Sequence, residues 1–136
     1  MNILFIICDY VHKVIIMEIS NLSQEIAELH ARLCLGLADS TRLLILYLLF
    51  EKPCNVGELT EKLSIPQSNV SRHLRVLRDG GLVRATRQGA NVQYELTDVR
   101  VIDALDILRT ILRDQIQRSA EIMEEIKPLQ VLDPEN

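Results

Sequence analysis

The sequence predicts a mainly α-helical domain carrying one small β-hairpin. Three observations carry that expectation. Apolar residues recur every three or four positions over most of the chain, which is the helical period. One run, "LVRATRQGANVQYEL", switches to β-type residues on either side of a glycine-containing turn. Two short helical segments meet at a tight "LSIP" step just ahead of that run. At 136 residues, 48% apolar and 25% charged, the chain has the size of one globular domain and is too small for most two-domain enzymes.

The opening "MNILFIICDYVHKVIIMEIS" begins apolar but has no basic leader, is interrupted by Asp9 and Lys13, and lacks a small-residue cleavage site. A signal peptide and a membrane anchor are both rejected on those grounds. Met17 opens "MEISNLSQEIAEL", which has the form of a natural start. Residues 1 to 16 therefore read as an over-extended start or as an added β-like segment. The domain proper is expected over 17 to 127, with 128 to 136 as a tail.

A first helix is expected from Asn21 to Leu37, capped by Ser20 or Asn21 and striped by Ile26, Leu29, Leu33 and Leu37. A second restarts with Ser40 as cap; Leu43 to Phe50 is apolar nearly all round, so this helix belongs in the core, and Pro53 stops it. After an extended piece at Asn55 and Val56, "GELTEKLSI" gives a short third helix ending near Ser64. The fourth lies within "IPQSNVSRHLRVLRDGGLV" and is closed by Gly80 and Gly81. The hairpin turns around Gly89-Ala90-Asn91. Asp98 caps a last long helix that Pro128 ends, near Lys127. Two short helices in a tight turn, followed by a hairpin, make a helix-turn-helix with a wing.

The fourth helix has two unlike sides. With Val70 as origin and about 100° per residue, Leu74 and Leu77 lie within about 40° of it, while Arg78, Ser71, Arg75, Ser68 and Arg72 fall between about 80° and 200°. The outer side is thus hydroxyl and guanidinium. An ordinary solvated helix would mix Glu with Lys. Small Ser side chains let a helix approach base edges, Arg reaches guanine or phosphate, and Gln67 on the first turn reaches a base from the helix end. Arg84 and Arg87 on the wing extend the surface. His73 sits beside the apolar side and is expected to pack or to face phosphate; Asn69 is marginal.

Charge points the same way. The chain is −4 overall, but Gln67 to Asn91 holds five arginines against Asp79 alone, so that segment is +4 and the remainder −8. A basic island on an acidic chain fits a local polyanion contact such as double-stranded DNA.

The stretches "LADSTRLLIL", "VGELTEKLSIPQSNVSRHLRVLRDGGLV" and "RQGANVQYEL" resemble the ArsR/SmtB family of winged-helix transcriptional repressors over about residues 25 to 115. The resemblance rests on Asp-Ser-x-Arg at the second helix, Val-x-Glu-Leu at the third, Ser-x-His-Leu in the fourth and Gly-Leu-Val before the wing. It implies a homodimeric repressor that binds an imperfect palindrome near its own promoter and is released by an inducer. Pro66 stands where the family commonly has a capping Ser or Thr, which changes the capping and not the placement.

Dimerisation through the first and last helices has independent support. Leu105, Leu108, Leu112 and Ile116, with Val101, Met123 and Ile126, keep a 3-to-4 spacing along a helix of about 43 Å, more than a compact body covers. The plainer reading is a helix packed wholly on its own domain.

No cofactor is identified, and the family's familiar ligand sites are absent. Aligned on Val56 and Glu58-Leu59, its Cys-x-Cys site falls on Asn55 and Gly57, with Cys54 one place early. Asp98 and Asp114 align with the last-helix metal site, but Arg100 and Ile111 replace its histidines. Tyr47 takes the position of the thiol of redox-sensing relatives. A metalloid inducer held by Cys34 and Cys54, with Cys8 as a third ligand, is the remaining thiol candidate; the plainer reading is that these thiols are buried or incidental. Three cysteines without a CxxC pair fit a reducing cytoplasm.

Other classes compare as follows. Catalysis is not expected: no Gly-rich phosphate loop, nucleophile elbow or HExxH occurs, and the carboxylates are scattered. A winged helix that binds protein instead of DNA is the alternative; it makes Ser71 and Arg72 dispensable. A constitutive repressor or architectural factor keeps the DNA and drops the inducer.

Overall fold

The computed structural model describes residues 3–130, with side chains as far as 126. The chain divides into two compact units, residues 1–98 and 99–136. The tail expected at 128 to 136 lies outside the described residues beyond Gln130.

The first unit begins with one long helix, α1, Ile3–Leu37, in which His30–Cys34 form a wider π-helical turn. Two expectations are corrected here. The opening segment is helical and not β-like, and no helix start occurs at Ser20 or Asn21. A lone strand would leave its N–H and C=O groups without partners, whereas a helix bonds its own backbone. No Gly or Pro interrupts the chain before Gly36, so the helix runs on. No residue of Ile3–Leu29 is buried.

α1 meets α2, Ser40–Glu51, at 85°. Asp39, not Ser40, is the cap: it is extended, and its carboxylate accepts from the Arg42 N–H at 3.1 Å. Ile45, Leu46 and Leu49 are buried, so α2 contributes to the core as its composition predicts, but Leu44 and Phe50 are exposed and only one side of the helix is enclosed. Lys52 closes it one residue before Pro53.

α3, Val56–Leu63, starts one residue earlier than expected because Asn55 forms a full capping box with Glu58, at 2.8 and 2.9 Å. The extended piece is therefore Cys54 and Asn55. Ser64 ends the helix in the left-handed conformation, φ 54°, and so makes the tight turn. α4, Gln67–Asp79, follows with Pro66 as an N-cap that makes no side-chain bond.

The wing is β1, Val83–Gln88, paired antiparallel with β2, Asn91–Leu96, around a turn at Gly89 with φ 62°. Cys54 and Tyr94 exchange both backbone bonds, at 3.1 and 2.8 Å, so the segment before α3 adds a short third rung to the hairpin. Leu59, Val70, Leu74, Leu77, Leu82, Val83 and Leu96 complete the core of this unit with the α2 residues.

The second unit is α5, Arg100–Gln130, which begins two residues after Asp98 and passes Pro128 instead of ending there. Proline lacks only its own N–H, so it removes one bond from the helix ladder. Ile102 and Leu105 are buried; Leu108, Leu112, Ile116, Met123 and Ile126 are exposed. No single helix among the described residues is long and apolar enough to cross a membrane.

Candidate nucleic-acid interface

α4 presents the two sides that its spacing predicts. Val70, Leu74 and Leu77 are buried, while Gln67, Ser68, Ser71, Arg72, Arg75 and Arg78 are exposed. Arg84 and Arg87 are exposed on β1. The structure thus brings the serines and three arginines onto one open helix face and sets the two wing arginines on the hairpin. Their roles differ. Arg84 donates from Nε to Glu95, its cross-strand neighbour, at 2.7 Å, and that bond holds its guanidinium charged. Among the described residues, none of Arg72, Arg75, Arg78 or Arg87 is in an ion pair. Four uncommitted guanidinium groups are available to an anionic ligand, and Arg84 is partly occupied.

His73 packs, as expected. It is 9% exposed, and its Nδ1 lies 3.4 Å from Arg42 Nη1 and 3.8 Å from Asp39 Oδ1. In the tautomer protonated at Nε2, Nδ1 accepts from the guanidinium. Arg42 is the hub that the sequence reading missed. Its Nε donates to the Gly36 carbonyl at 2.7 Å and its Nη2 to the Leu35 carbonyl at 3.1 Å, so it bonds carbonyls of the last turn of α1, of which Leu35 also accepts from the Ala38 N–H. One side chain therefore fastens the end of α1 to α2 and reaches the helix that bears the arginine face. The signal is the Asp-Ser-x-Arg motif, whose spacing places Arg42 in the first turn of the helix that Asp39 caps. The backbone N–H of Arg42 does most to hold the Asp39 carboxyl below its ordinary value; burial opposes it, and the positive charge of Arg42 adds a smaller lowering.

Gly80 closes α4, as its sequence position predicts, and has a second role. A Cβ there would stand 2.5 Å from the Arg32 carbonyl oxygen in the π-helical turn. The absent side chain lets α1 and the end of α4 approach.

The thiols do not converge on one open site. Cys34 is exposed on α1; Cys54 is fully buried, its Sγ donating to the Lys52 carbonyl at 3.4 Å, and burial pushes its thiol up. Cys8 is exposed near the start of α1. Among the described residues no group of three or more His, Cys, Asp or Glu side chains is placed to hold a metal ion.

A helix pair with a left-handed turn, a partnerless arginine face and a hairpin wing define a winged helix-turn-helix protein. The sequence pattern of bacterial regulatory proteins of the arsR family matches residues 39–85. The regulator CmtR of Mycobacterium tuberculosis is 47% identical over 75 residues, 55% of this chain and 64% of that protein. The transcriptional activator HlyU of Vibrio cholerae is 34% identical over 76 residues, 56% of this chain and 70% of that protein. The crystal structure of Rv0081 from M. tuberculosis superposes with a TM-score of 0.63 at 31% identity, covering 70% of this chain and 96% of that one. This chain belongs to the arsR family. It spans just under two thirds of the length of CmtR.

Proposed function

We propose that the chain is a sequence-specific DNA-binding transcriptional regulator of the cytoplasm, a homodimeric repressor released by an inducer, acting by binding and not by catalysis. The observation that carries the reading is the exposed face of α4. Ser68, Ser71, Arg72, Arg75 and Arg78 point away from Val70, Leu74 and Leu77, and the arginines have no ion-pair partner among the described residues. Such a face fits the major groove: Arg72 and the serines read base edges while Arg75, Arg78 and the wing arginines bind phosphate. Gln67 reaches a base from the end of the helix. Dimerisation is favoured by the exposed apolar stripes of α1 and α5, with Leu108, Leu112 and Ile116 as contacts on α5. Leu105, expected at the same contact, is already buried in the single chain and so is not available to a second copy. Two copies place two α4 helices on half-sites about one helical turn apart.

The test is binding of the purified chain to a duplex from its own upstream region against a scrambled duplex, at two salt concentrations. Selective binding of two protomers, weakening steeply with salt, is expected. Equal weak binding to the native duplex, the scrambled one and a pool of random sequences would instead favour a protein-binding winged helix.

A further inference from the structure

Residues 3 to 16 lie outside the DNA-binding body, yet they are ordered into α1 and every large apolar side chain described there except Val14 is exposed. Their arrangement has a register. Within a sector of about 80°, counted at about 100° per residue, every position from Leu4 to Leu29 is Leu, Ile, Val or Cys. Leu4, Ile15 and Ile26 recur eleven residues apart, and so do Val11 and Leu22. An eleven-residue repeat keeps a stripe on one side of a nearly straight helix. The stripe crosses Met17 without a break and runs into Ile26, which belongs to the expected dimer contact of the first helix.

We propose that the start of α1 extends the homodimer interface: the stripe from Leu4 to Ile19 packs against the helices of a second copy. The proposal rests on the homodimer reading given above. Continuity is the first argument, since the α1 stripe that the homodimer reading puts against a second copy keeps its chemistry and its angular position from Ile26 back to Leu4. Length is the second: Leu4 to Leu29 covers about 38 Å, enough for an extended helix-to-helix seam. Charge is the third. Ile3–Leu29 carries Lys13 against Asp9, Glu18, Glu25 and Glu28, and Lys13 is paired with Asp9 at 2.9 Å. Helices that lie on anionic membranes are rich in Lys and Arg; this one is acidic and suits a protein surface. Phe5, Ile6 and Tyr10, exposed outside the sector, widen the apolar girth beyond what one partner helix covers. A second copy offers two, its own α1 and α5.

Sedimentation equilibrium on the full chain tests this with Ile15→Glu inside the stripe, Ser20→Glu outside it, and Leu112→Glu on α5. All three replace exposed residues, and circular dichroism checks that helix content is kept. The expected result is a wild-type dimer whose dissociation constant rises at least tenfold in Ile15→Glu and Leu112→Glu and stays within twofold in Ser20→Glu. Maleimide modification of Cys8, which lies in the stripe, should slow as the chain is concentrated through the dimerisation range. An Ile15→Glu chain that dimerises like wild type while Leu112→Glu dissociates would overturn this proposal and leave the dimer intact. A wild-type chain that stays monomeric at all concentrations would remove both. An Ile15→Glu chain that loses only sedimentation with phosphatidylglycerol vesicles, its dimer unchanged, would also overturn it, assigning the helix to a membrane.

Discussion

At the scale of single residues, the arginines divide by what they already touch. Arg72, exposed on α4 and in no ion pair among the described residues, is the base reader of the proposed complex; Arg72→Ala should cost about 1–3 kcal/mol on the specific duplex and relax preference at one or two positions. Arg87 lies toward the wing tip, and Arg87→Ala should weaken specific and random duplexes alike, reducing the slope of log affinity against log salt by about one. Competition binding at three salt concentrations separates the two patterns, and equal losses for Arg72→Ala on both duplexes would contradict its assignment. Asp39 makes a different prediction. Its carboxyl is held below the ordinary value of 3.8 in the folded chain, so the unfolded chain takes up its proton first as pH falls. The stability it contributes is present above that ordinary value and is lost as pH drops through the lower folded one. Asp39→Asn should flatten that part of the acid limb of a melting-temperature profile, while wild type keeps the slope. Cys54 is buried with its thiol pushed up, so it should resist alkylation at neutral pH until the chain unfolds, whereas Cys34 reacts at once. Mass spectrometry after a timed pulse of iodoacetamide reads the difference.

At the scale of elements, α4 needs a neighbour at close range. The Cβ that Gly80→Ala introduces has a backbone oxygen of α1 2.5 Å away, and a backbone cannot swing aside as a side-chain tip can. The substitution should destabilise the chain by about 1–3 kcal/mol, visible as a lowered urea midpoint, with weaker DNA binding where α4 tilts to relieve the clash. The same elements show what the sequence makes legible. The two sides of α4 were readable because Val70, Leu74 and Leu77 repeat at the helical period, and the hairpin was readable from Gly89 between two β-type runs. Legibility failed where order depends on distant partners. Arg42 reaches the α1 carbonyls and His73 across a chain reversal that no local pattern encodes. The start of α1 was misread because Ile-rich segments suit strand or helix equally, and the choice falls to whichever satisfies the backbone. Pro128 is a weak boundary signal, because a proline costs a helix one N–H and the chain runs helically through it to Gln130.

At the scale of the whole molecule, the acidic balance of −4 and the basic island serve different contacts. Net repulsion from a polyanion keeps the chain off arbitrary surfaces, and the arginine face restores attraction along one direction only. The exposed leucines of α5 add a concentration dependence. Leu108→Glu should shift the monomer–dimer equilibrium toward monomer and reduce operator affinity more than a single lost contact would, because one half-site alone forfeits the linked second binding event. Light scattering beside a binding isotherm checks both effects. The rung between Cys54 and Tyr94 carries a further consequence for how freely such a protein can drift in sequence. Both of its bonds are made by main-chain atoms, so the lean of the wing toward the helix pair is indifferent to most side-chain replacements at the exposed positions around it. Proline is the substitution that erases such a bond, at either residue, by removing the N–H itself. The wing can therefore change what it says to DNA, residue by residue, while keeping the angle from which it speaks.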